Sequence, residues 1–444
     1  MNFHSTRDAS LTVDFSQALL KGLAPEGGLF VPGSWPLLSA QQLLEQVGDL
    51  APEQYLQPQG LARIGALLLA PFAAGSELEA QLPAITAQAF SFPAPLESVL
   101  IDNQLSVLEL FHGPTAAFKD FGARFLAACL PRLRPAGAKP LKILVATSGD
   151  TGGAVAAAFH RQPGVEVAVL FPKGLVSPAQ EHQLTCWGDN VRSFAVRGTF
   201  DDCQAMVKQA FVDPDLSARF DLSSANSINL GRLLPQAVYY AASSLATFAR
   251  HGEQASYIVP SGNLGNVVAG LWAKRVGMPI DRFVLAHNAN RTVPELLQSG
   301  EFRPRPSVAT LASAMDVGNP SNLERLRALY PDIDQLRAAI AADWVSDADI
   351  KARIHKGFVR FGQIWCPHTA TAAEVYDRMP LEKRENGRWV LVATAHPAKF
   401  REIVEPLIGQ KVPVPQSLAK LYELPAQATQ IDAGLEALRA GLAD

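Results

Sequence analysis

One lysine of the sequence stands where it could act as a nucleophile. Lys119 lies in the segment FHGPTAAFKD, in which a proline and a threonine can start a helix, so that the lysine falls in the first helical turn. The positive end of the helix dipole and burial both disfavour an ammonium group there, and Gly122 and Ala123 leave room beside it. A lysine with a lowered pKa is what Schiff-base chemistry requires. An ordinary surface lysine beside Asp120 is the alternative, and the local sequence alone favours it.

Two loops that join a buried strand to a helix could bind anions. The first is residues 147–153 (TSGDTGG), whose hydroxyls and backbone N–H groups could surround a carboxylate or phosphate at a helix N-terminus. The second is residues 261–266 (SGNLGN), in which Gly262 and Gly265 allow close backbone approach and the amides could form an anion nest. A capped turn explains the first loop equally well, but a second anion-competent loop in one chain favours a binding function.

A third segment, residues 224–232 (SANSINLGR), carries side chains that could receive a phosphate. Arg232 could pair with a phosphate through two hydrogen bonds, and Ser227 and Asn229 could add others. Taken alone, a loop entering the following helix is the favoured alternative. Thr394 follows the apolar run WVLVA, at the carboxyl end of a strand, where open parallel sheets bind ligands. A turn or a helix cap also explains this threonine.

Together, these residues describe a site for several anionic groups and one lysine. Pyridoxal phosphate fits such a site, because it has a phosphate, a phenolic oxygen and an aldehyde that can react with the lysine. Composition and spacing alone do not require that cofactor. The nine histidines do not occur at HxxxH or HExxH spacing, so no metal site is expected.

The elements that must position these residues alternate between short apolar runs and helical segments. Such alternation predicts an α/β protein with a parallel sheet covered on both faces. The first part of the chain is predicted to be mostly helical, the proline-rich residues 404–425 irregular, and the tail an amphipathic helix with Ile431 and Leu435 on one face. The predicted strands are residues 142–146, 165–172, 191–196, 257–260, 282–287 and 389–393.

The composition excludes several classes of function. The 444 residues include 39 Lys and Arg and 42 Asp and Glu, so the net charge of -3 lacks the basic excess that nucleic-acid binding requires. No polybasic run and no apolar stretch of the ~20 residues needed to span a bilayer is present, so no membrane partner is expected. The four cysteines stand far apart, which fits reducing conditions and predicts a cytoplasmic protein.

Taken in their order, the motifs resemble those of the threonine synthase family, which are pyridoxal-phosphate enzymes of fold type II. The resemblance runs almost end to end and implies two open parallel-sheet α/β domains and a mostly helical N-terminal segment. It places that segment at residues 1–95, the catalytic region at 96–430 and a C-terminal helix at 431–444. Within the catalytic region, a smaller mobile part covers about 140–225 and a larger part is formed by the rest. The motifs are HSTR, GLAPEGGLFVP, FHGPTAAFKDF, ATSGDTGGAVA, SANSINLGR, VPSGNLGN, SAMDVGNPSNLERL, CPHTATA and ATAHPAKF.

The resemblance also implies a part for each matched residue. Lys119 would bind the cofactor as a Schiff base, Thr394 would hydrogen-bond the pyridine nitrogen, and Asp150 would contact the 3′-oxygen, although related folds often have asparagine there. The residues implied to hold the cofactor phosphate are Gly262, Asn263, Leu264, Gly265 and Asn266, with Leu264 at a position where an aromatic residue is frequent. The residues implied to face the substrate are Thr147, Ser148, Asp150 and Thr151.

The implied reaction converts O-phospho-L-homoserine and water into L-threonine and phosphate by γ-elimination and β-hydration. Ser227 and Arg232 would receive the substrate phosphate, with Asn229 as a weaker candidate. The nearest alternative is a threonine or serine dehydratase, which shares the lysine and the glycine loop but needs no pocket for a substrate phosphate. A non-catalytic relative would be expected to have lost Lys119 or Thr394. The small-molecule substrate is the expected partner, and the protein is expected to be a monomer or a homodimer.

Overall fold

Three β-sheets organise the chain, of which the computed structural model describes residues 1–99, 102–135 and 137–443. A three-stranded antiparallel sheet lies near the N-terminus. A five-stranded sheet is parallel throughout, and a six-stranded sheet is parallel except for one strand at its edge. This arrangement confirms the predicted α/β fold with two open parallel sheets.

The strands and helices have the following bounds in chain order. The strands are β1 Asn2–Ser5, β2 Thr12–Asp14, β3 Phe30–Pro32, β4 Leu96–Val99, β5 Asp102–Glu109, β6 Leu141–Ala146, β7 Val165–Pro172, β8 Val191–Arg197, β9 Asp221–Ser224, β10 Ala255–Pro260, β11 Ile280–His287, β12 Ile340–Trp344, β13 Arg388–Ala393 and β14 Thr429–Asp432. The α-helices are α1 Phe15–Lys21, α2 Ala40–Gln46, α3 Pro58–Ala73, α4 Leu82–Ala89, α5 Lys119–Cys129, α6 Asp150–Phe159, α7 Pro178–Thr185, α8 Phe200–Phe211, α9 Pro214–Arg219, α10 Leu230–Leu233, α11 Ala237–His251, α12 Gly265–Arg275, α13 Thr292–Ser299, α14 Leu323–Leu329, α15 Ile333–Ala339, α16 Asp347–Phe361, α17 Pro367–Arg378, α18 Leu381–Glu385, α19 Arg401–Ile408, α20 Gln416–Tyr422 and α21 Leu435–Ala443. Turns of 3₁₀ helix lie at Pro52–Leu56, Glu79–Gln81, Leu130–Leu133, Leu234–Gln236, Ser313–Met315 and Pro397–Phe400.

The N-terminal segment contains the small antiparallel sheet and the helices α1 to α4. Strand β1 lies between β2 and β3, and all three strands have only three or four residues. Such short strands give too little of a repeating pattern to be predicted. The expectation of a mostly helical segment therefore holds, with a sheet that the sequence pattern does not reveal.

The five-stranded sheet has the order β14-β8-β7-β6-β9. Its strands β6, β7 and β8 coincide with three of the predicted apolar runs, and every residue of β6 is buried. Parallel sheets covered on both faces require such continuous apolar strands. The loop TSGDTGG follows β6 and leads into α6.

The tail differs from its prediction. Ile431 lies in strand β14, which pairs in parallel with β8, and helix α21 begins only at Leu435. Gly434 separates the two elements and has a positive φ of 157°. The predicted helix over 431–444 is therefore wrong for its first residues, because pairing with a distant strand overrides the local helical spacing. Residues 404–425, predicted irregular, also contain most of α19 and all of α20.

The six-stranded sheet has the order β12-β11-β10-β13-β5-β4 and positions the remaining candidate residues. Its strands β10, β11 and β13 match the other predicted runs. The loop SGNLGN follows β10 and leads into α12, and Thr394 follows β13. Among the described residues, no helix is long and apolar enough to cross a membrane.

Candidate active site

A cavity of about 850 Å³ lies at the carboxyl ends of β6, β10 and β13, where Ala146, Pro260 and Thr394 form part of its wall. Residues of the N-terminal segment, of α8 and of the stretch 302–328, together with His368, form other parts of the wall. The candidate residues that line the cavity are Lys119, Thr147, Ser148, Thr151, Ser227, Arg232, Gly262, Asn263, Leu264, Gly265, Asn266 and Thr394. The topology thus brings most of the candidate residues together from segments that are far apart in the chain.

Lys119 is the first residue of α5 and is half-buried in the cavity wall. Burial is the main cause that lowers the pKa of its ammonium group to about 8. The cations Lys399 and Arg232 act in the same direction, and the Asp150 carboxylate opposes them. The N–H of Phe118 donates a hydrogen bond of 2.9 Å to the carbonyl oxygen of Thr394, which holds the lysine segment against the end of β13. Lys119 is therefore easier to deprotonate than an exposed lysine.

Asp120 does not pair with Lys119 at the surface, as it would if Lys119 were an ordinary surface lysine. Its carboxylate is buried and accepts hydrogen bonds from the N–H of Thr115 at 2.8 Å and from the Thr115 hydroxyl at 2.7 Å. Asp120 therefore closes the loop before α5 and leaves Lys119 facing the cavity.

Gly122 has a different function from the one expected of it. A Cβ atom there would lie 2.2 Å from the carbonyl oxygen of Arg232 and 3.0 Å from its carbonyl carbon. The small residue therefore makes room for the backbone of Arg232. As a result, the backbone that carries Arg232 packs directly on the helix that carries Lys119.

Arg232 presents a buried guanidinium group to the cavity. Its side chain donates to the carbonyl oxygen of Ala225, and its Nε–H has no partner among the residues that the structure describes. Burial is the main cause that lowers the pKa of Arg232 to about 10, and Asp120 partly opposes it. A buried cation with a free N–H favours an anionic ligand, because an unmet buried donor costs free energy.

The loop SGNLGN has its left-handed residue at an unexpected place. Leu264, not a glycine, has a positive φ of 63° and precedes α12. Gly262 is needed for close approach, since a Cβ atom there would lie 2.7 Å from the Cα of Met315. Gly265 is less constrained, because its nearest neighbour would be the Ser227 Cβ at 3.4 Å.

Asn266 in the first turn of α12 carries an unpartnered donor. Its Oδ1 accepts hydrogen bonds from the hydroxyls of Tyr239 at 2.6 Å and Tyr240 at 2.8 Å. Its Nδ2 is buried without a partner in the described part of the chain, and the residue lines the cavity. Two tyrosines thus fix the amide so that its N–H groups remain free for an anion.

Thr147 organises the loop TSGDTGG from within. Its hydroxyl accepts hydrogen bonds from the N–H groups of Gly149 at 3.0 Å and Gly152 at 2.9 Å. Ser148 is exposed and Thr151 is half-buried, and both line the cavity. Ser148 and Thr151 therefore have hydroxyls available to a ligand, whereas the hydroxyl of Thr147 shapes the loop.

Asp150 is expected to face the cofactor and the substrate, but it does not line the cavity. Its buried Oδ1 is 2.7 Å from the Lys399 Nζ and accepts a hydrogen bond of 3.0 Å from the Gln180 Nε2. Burial alone would raise the pKa of Asp150, but Lys399, Lys119 and Gln180 together hold it below its ordinary value. The carboxylate is thus engaged with Lys399, a residue to which the sequence analysis assigned no part.

Asn229 also differs from its expected place at the substrate phosphate, because it caps a helix and does not line the cavity. Its Oδ1 accepts from the N–H of Gly231 at 2.8 Å at the start of α10, and its Nδ2 donates to the carbonyl oxygens of Leu19 at 3.0 Å and Ser224 at 3.1 Å. Both ends of this buried amide are therefore satisfied within the protein, and none is left for a substrate phosphate.

A polar network that sequence reasoning missed holds Ser227 and Asn263 in place. The Ser227 hydroxyl accepts from the Asn263 Nδ2 at 2.7 Å and the Asn322 Nδ2 at 3.3 Å. The buried Arg325 donates to the Asn322 Oδ1 at 2.8 Å and to the Ile228 carbonyl oxygen at 2.7 Å. Asn322 and Arg325 lie in the motif SNLERL, but nothing in a helical pattern distinguishes a buried arginine from an exposed one.

The described geometry combines a lysine of lowered pKa, a helix N-terminus with a free amide, and a buried arginine around one cavity. Within the described ranges, no group of three or more His, Cys, Asp or Glu side chains could hold a metal ion. A phosphate-bearing cofactor with an aldehyde fits this set of donors.

With the match of the family model "Pyridoxal-phosphate dependent enzyme" over residues 94–395, the fold and the cavity define a pyridoxal-phosphate enzyme of fold type II. Models for "Threonine synthase N terminus" and "Threonine synthase, C-terminal" match residues 2–90 and 369–441. The chain belongs to the threonine synthase family.

Curated relatives and solved structures support this assignment over the full length. The threonine synthase of Haemophilus influenzae is 41% identical over 100% of this chain and 99% of its own, and that of Escherichia coli K12 is 39% identical over 99% and 98%. The crystal structure of threonine synthase from Escherichia coli matches with a TM-score of 0.89 and 38% identity, covering 100% of this chain and 99% of its own. That of "PLP bound Threonine synthase from Brucella melitensis" matches with a TM-score of 0.87 and 31% identity, covering 100% and 98%.

Proposed function

We propose that this chain converts O-phospho-L-homoserine and water into L-threonine and phosphate with pyridoxal phosphate bound at Lys119. The observation that carries the proposal is the buried Arg232, whose Nε–H lacks a partner among the described residues and which lies in the same cavity as Lys119. A dehydratase needs the lysine but has no use for a second anion site. Arg232 therefore supports a substrate with a distal phosphate.

The donors around the cavity support a place for each part of the cofactor. The N–H groups at the start of α12 and the Asn266 Nδ2 would hold its phosphate. The Thr394 hydroxyl would hydrogen-bond the pyridine nitrogen. When bound, pyridoxal phosphate withdraws electrons from the substrate carbons and so acidifies their C–H bonds. A neutral hydroxyl at the ring nitrogen, in place of a carboxylate, would moderate that withdrawal and suit chemistry at the β- and γ-carbons.

Lys119 would also move the protons of the reaction. Its Nζ would take protons from the substrate Cα and then Cβ, and would return protons at Cγ and, after water has added at Cβ, at Cα. A pKa of about 8 suits these transfers near neutral pH. The hydroxyls of Ser148 and Thr151 and the N-terminus of α6 would hold the substrate carboxylate. Ser227 and Arg232 would receive its phosphate.

One assay tests this reaction. The purified holoenzyme is incubated with O-phospho-L-homoserine, and phosphate and threonine are measured together. Equal amounts of both products are expected. Phosphate with 2-oxobutanoate in place of threonine would instead identify a lyase of the dehydratase type, and no phosphate release would refute the proposal.

A second experiment tests the assignment of Lys119. Borohydride reduction of the holoenzyme followed by peptide mapping should label Lys119, and a label on another lysine would refute the assignment. The variant Lys119→Ala should retain the cofactor through its phosphate contacts but lose turnover by several orders of magnitude. Lys142→Met, which removes a buried lysine outside the cavity lining, is the control.

Arg232 is tested by comparing two variants. Loss of its charge-assisted contact in Arg232→Ala should cost roughly 1.5–3 kcal/mol, or about 10- to 200-fold in kcat/KM for the phosphorylated substrate. Arg232→Lys should also be impaired, because an ammonium keeps the charge but not the planar fork. Cofactor absorbance should stay normal in both, and equal damage to cofactor binding would contradict the assignment.

We further propose that the protein is cytoplasmic and is a monomer or a homodimer. Sedimentation of the holoenzyme during turnover would distinguish the two states.

A further inference from the structure

A lysine other than Lys119 lies buried beside the proposed active site. Lys399 belongs to the 3₁₀ turn Pro397–Phe400 and is 0% exposed. Its Nζ is 2.7 Å from the Asp150 Oδ1 and donates a hydrogen bond of 2.9 Å to the carbonyl oxygen of Thr115. One ammonium group therefore links the segments ATAHPAKF, TSGDTGG and FHGPTAAFKD.

Two glutamines of α7 complete the contact. The Gln180 Nε2 donates to the Asp150 Oδ1 at 3.0 Å, and the Gln183 Nε2 donates to the Thr115 carbonyl oxygen at 3.1 Å. Helices α6 and α7 connect strands of the five-stranded sheet, whereas Lys399 follows β13 of the six-stranded sheet. The ion pair thus joins the two sheets at the base of the loop that faces the cavity.

The charges around Lys119 come from four elements. Asp150 on α6 favours its ammonium form, whereas Lys399 and Arg232 on α10 disfavour it. His368 on α17 also lines the cavity, and burial lowers the pKa of its imidazole to about 4, so it is neutral near pH 7. Asp150 is therefore the anion that could hold a proton on Lys119.

The consequence follows from the competition between two lysines for one carboxylate. A buried carboxylate without a cation is unfavourable, so in the absence of Lys399 the ammonium of Lys119 would become the partner of Asp150. With the Lys399 Nζ at 2.7 Å, the charge of the carboxylate is largely compensated, so Asp150 holds a proton on Lys119 less strongly than it would alone. An asparagine in place of Asp150 would need no such compensation.

We propose that Lys399 is a positioning residue for the threonine synthase reaction: it neutralises Asp150 so that Lys119 can give up its proton, and it fixes the Asp150 loop against the lysine segment. This inference rests on the proposed bond between Lys119 and the cofactor. In this proposal, the pair of Asp150 and Lys399 has no net charge, as a single asparagine at position 150 would have none.

The test compares three variants of the holoenzyme: Lys399→Met, Asp150→Asn, and the two combined. The readout is the pH midpoint of the visible absorbance change of the bound cofactor, which reports the proton at the lysine nitrogen. Lys399→Met leaves the negative charge of Asp150 uncompensated, so the midpoint should rise by about 1–3 units. Asp150→Asn leaves the positive charge of Lys399, so the midpoint should fall. The combined variant should return close to the wild-type value.

Lys142→Met is the matched control. Lys142 is 3% exposed and pairs with Glu166 at 2.7 Å on strands β6 and β7 of the five-stranded sheet, but it does not line the cavity. Its loss should lower the melting temperature without moving the midpoint. General damage to the fold would shift the midpoints of Lys399→Met and Asp150→Asn in one direction, whereas the proposal requires opposite directions.

The outcomes separate this inference from the proposed function. Opposite shifts that cancel in the combined variant support it. Unchanged midpoints, or shifts of the same sign, overturn it even when borohydride labelling identifies Lys119. A label on another lysine would instead overturn the proposed function, and the inference with it. If Lys399→Met does not fold, the sign of the Asp150→Asn shift still decides, because that variant keeps every buried side chain at its size.

Discussion

Of two alanine substitutions three residues apart in the loop SGNLGN, only one should weaken cofactor binding. A Cβ atom at Gly262 would lie 2.7 Å from the Met315 Cα, and backbone cannot rotate away as a side chain can. A Cβ atom at Gly265 would meet the Ser227 Cβ at 3.4 Å, which is an ordinary contact. Gly262→Ala should therefore displace the loop, and Gly265→Ala should not.

The expected magnitude follows from the cost of overpacking. Inserting a methyl group into a closely packed site typically costs about 1–3 kcal/mol. If the loop yields, and its N–H groups move away from the cofactor phosphate, the same free energy is lost from binding, which is about 5- to 150-fold in Kd. Gly265→Ala lies in the first turn of α12 and gains up to ~1 kcal/mol of helix propensity, so its Kd should stay within about threefold of wild type.

The assay removes the cofactor and titrates each apoenzyme with pyridoxal phosphate, with absorbance as the signal. Unfolding in urea, measured on the same apoenzymes, shows whether a variant is destabilised in the absence of cofactor. Weak binding by Gly265→Ala together with normal binding by Gly262→Ala would refute the reasoning, because the contacts of the two Cβ positions would then have no bearing on the loop.

Three further predictions concern the helices and the buried histidines. Gly122→Ala would place a Cβ atom 2.2 Å from a backbone carbonyl oxygen, so it should destabilise the protein by about 3 kcal/mol or more in urea unfolding; a loss below about 1 kcal/mol would contradict the close packing described. Asn266→Asp keeps the oxygen that accepts hydrogen bonds from two tyrosines but replaces the free N–H groups with a negative charge. Cofactor affinity should therefore fall at least about 100-fold, while the melting temperature of the apoenzyme changes little. Unchanged affinity would show that this amide does not face the phosphate. Burial lowers the pKa of three histidines from 6.5, to about 3 for His287 and to about 4 for His368 and His396. The unfolded chain takes up these protons below pH ~6.5 and the folded chain does not, so the free energy of unfolding should fall by roughly 1 kcal/mol per histidine between pH 7 and 5.5. The variant His287→Gln should remove about a third of that fall. An equal fall in the variant and the wild type would contradict the lowered pKa of His287.

The features that could be predicted from the sequence have local causes. The strands β6, β7 and β10 are continuous apolar runs because both faces of a parallel sheet are covered. The position of Lys119 in the first turn of a helix could be predicted, although α5 begins at Lys119 itself and not at Pro114 or Thr115. Where the chain's own neighbours decide the conformation, the pattern is sufficient.

The features that could not be predicted depend on distant partners. Asp150 and Asn229 are short polar side chains, which fit a ligand site, an ion pair or a helix cap equally well. Lys399 and Leu19, which come from other parts of the chain, decide between these uses. Leu264 takes the left-handed conformation that rules assign to glycine, because its side chain is buried in the core while the backbone turns.

The pairing of β14 with β8 makes the end of the chain the last part needed to finish an interior sheet. During synthesis, strands β6 to β9 emerge long before Thr429–Asp432, and until then β8 is an open edge with unpaired N–H and C=O groups. The same tail buries Leu438 and Leu442 in a hydrophobic cluster that includes Met206 of α8, the helix that forms one wall of the cavity. A chain that stops short of its last strand would therefore combine a complete set of candidate active-site residues with a sheet edge open to pairing with another copy.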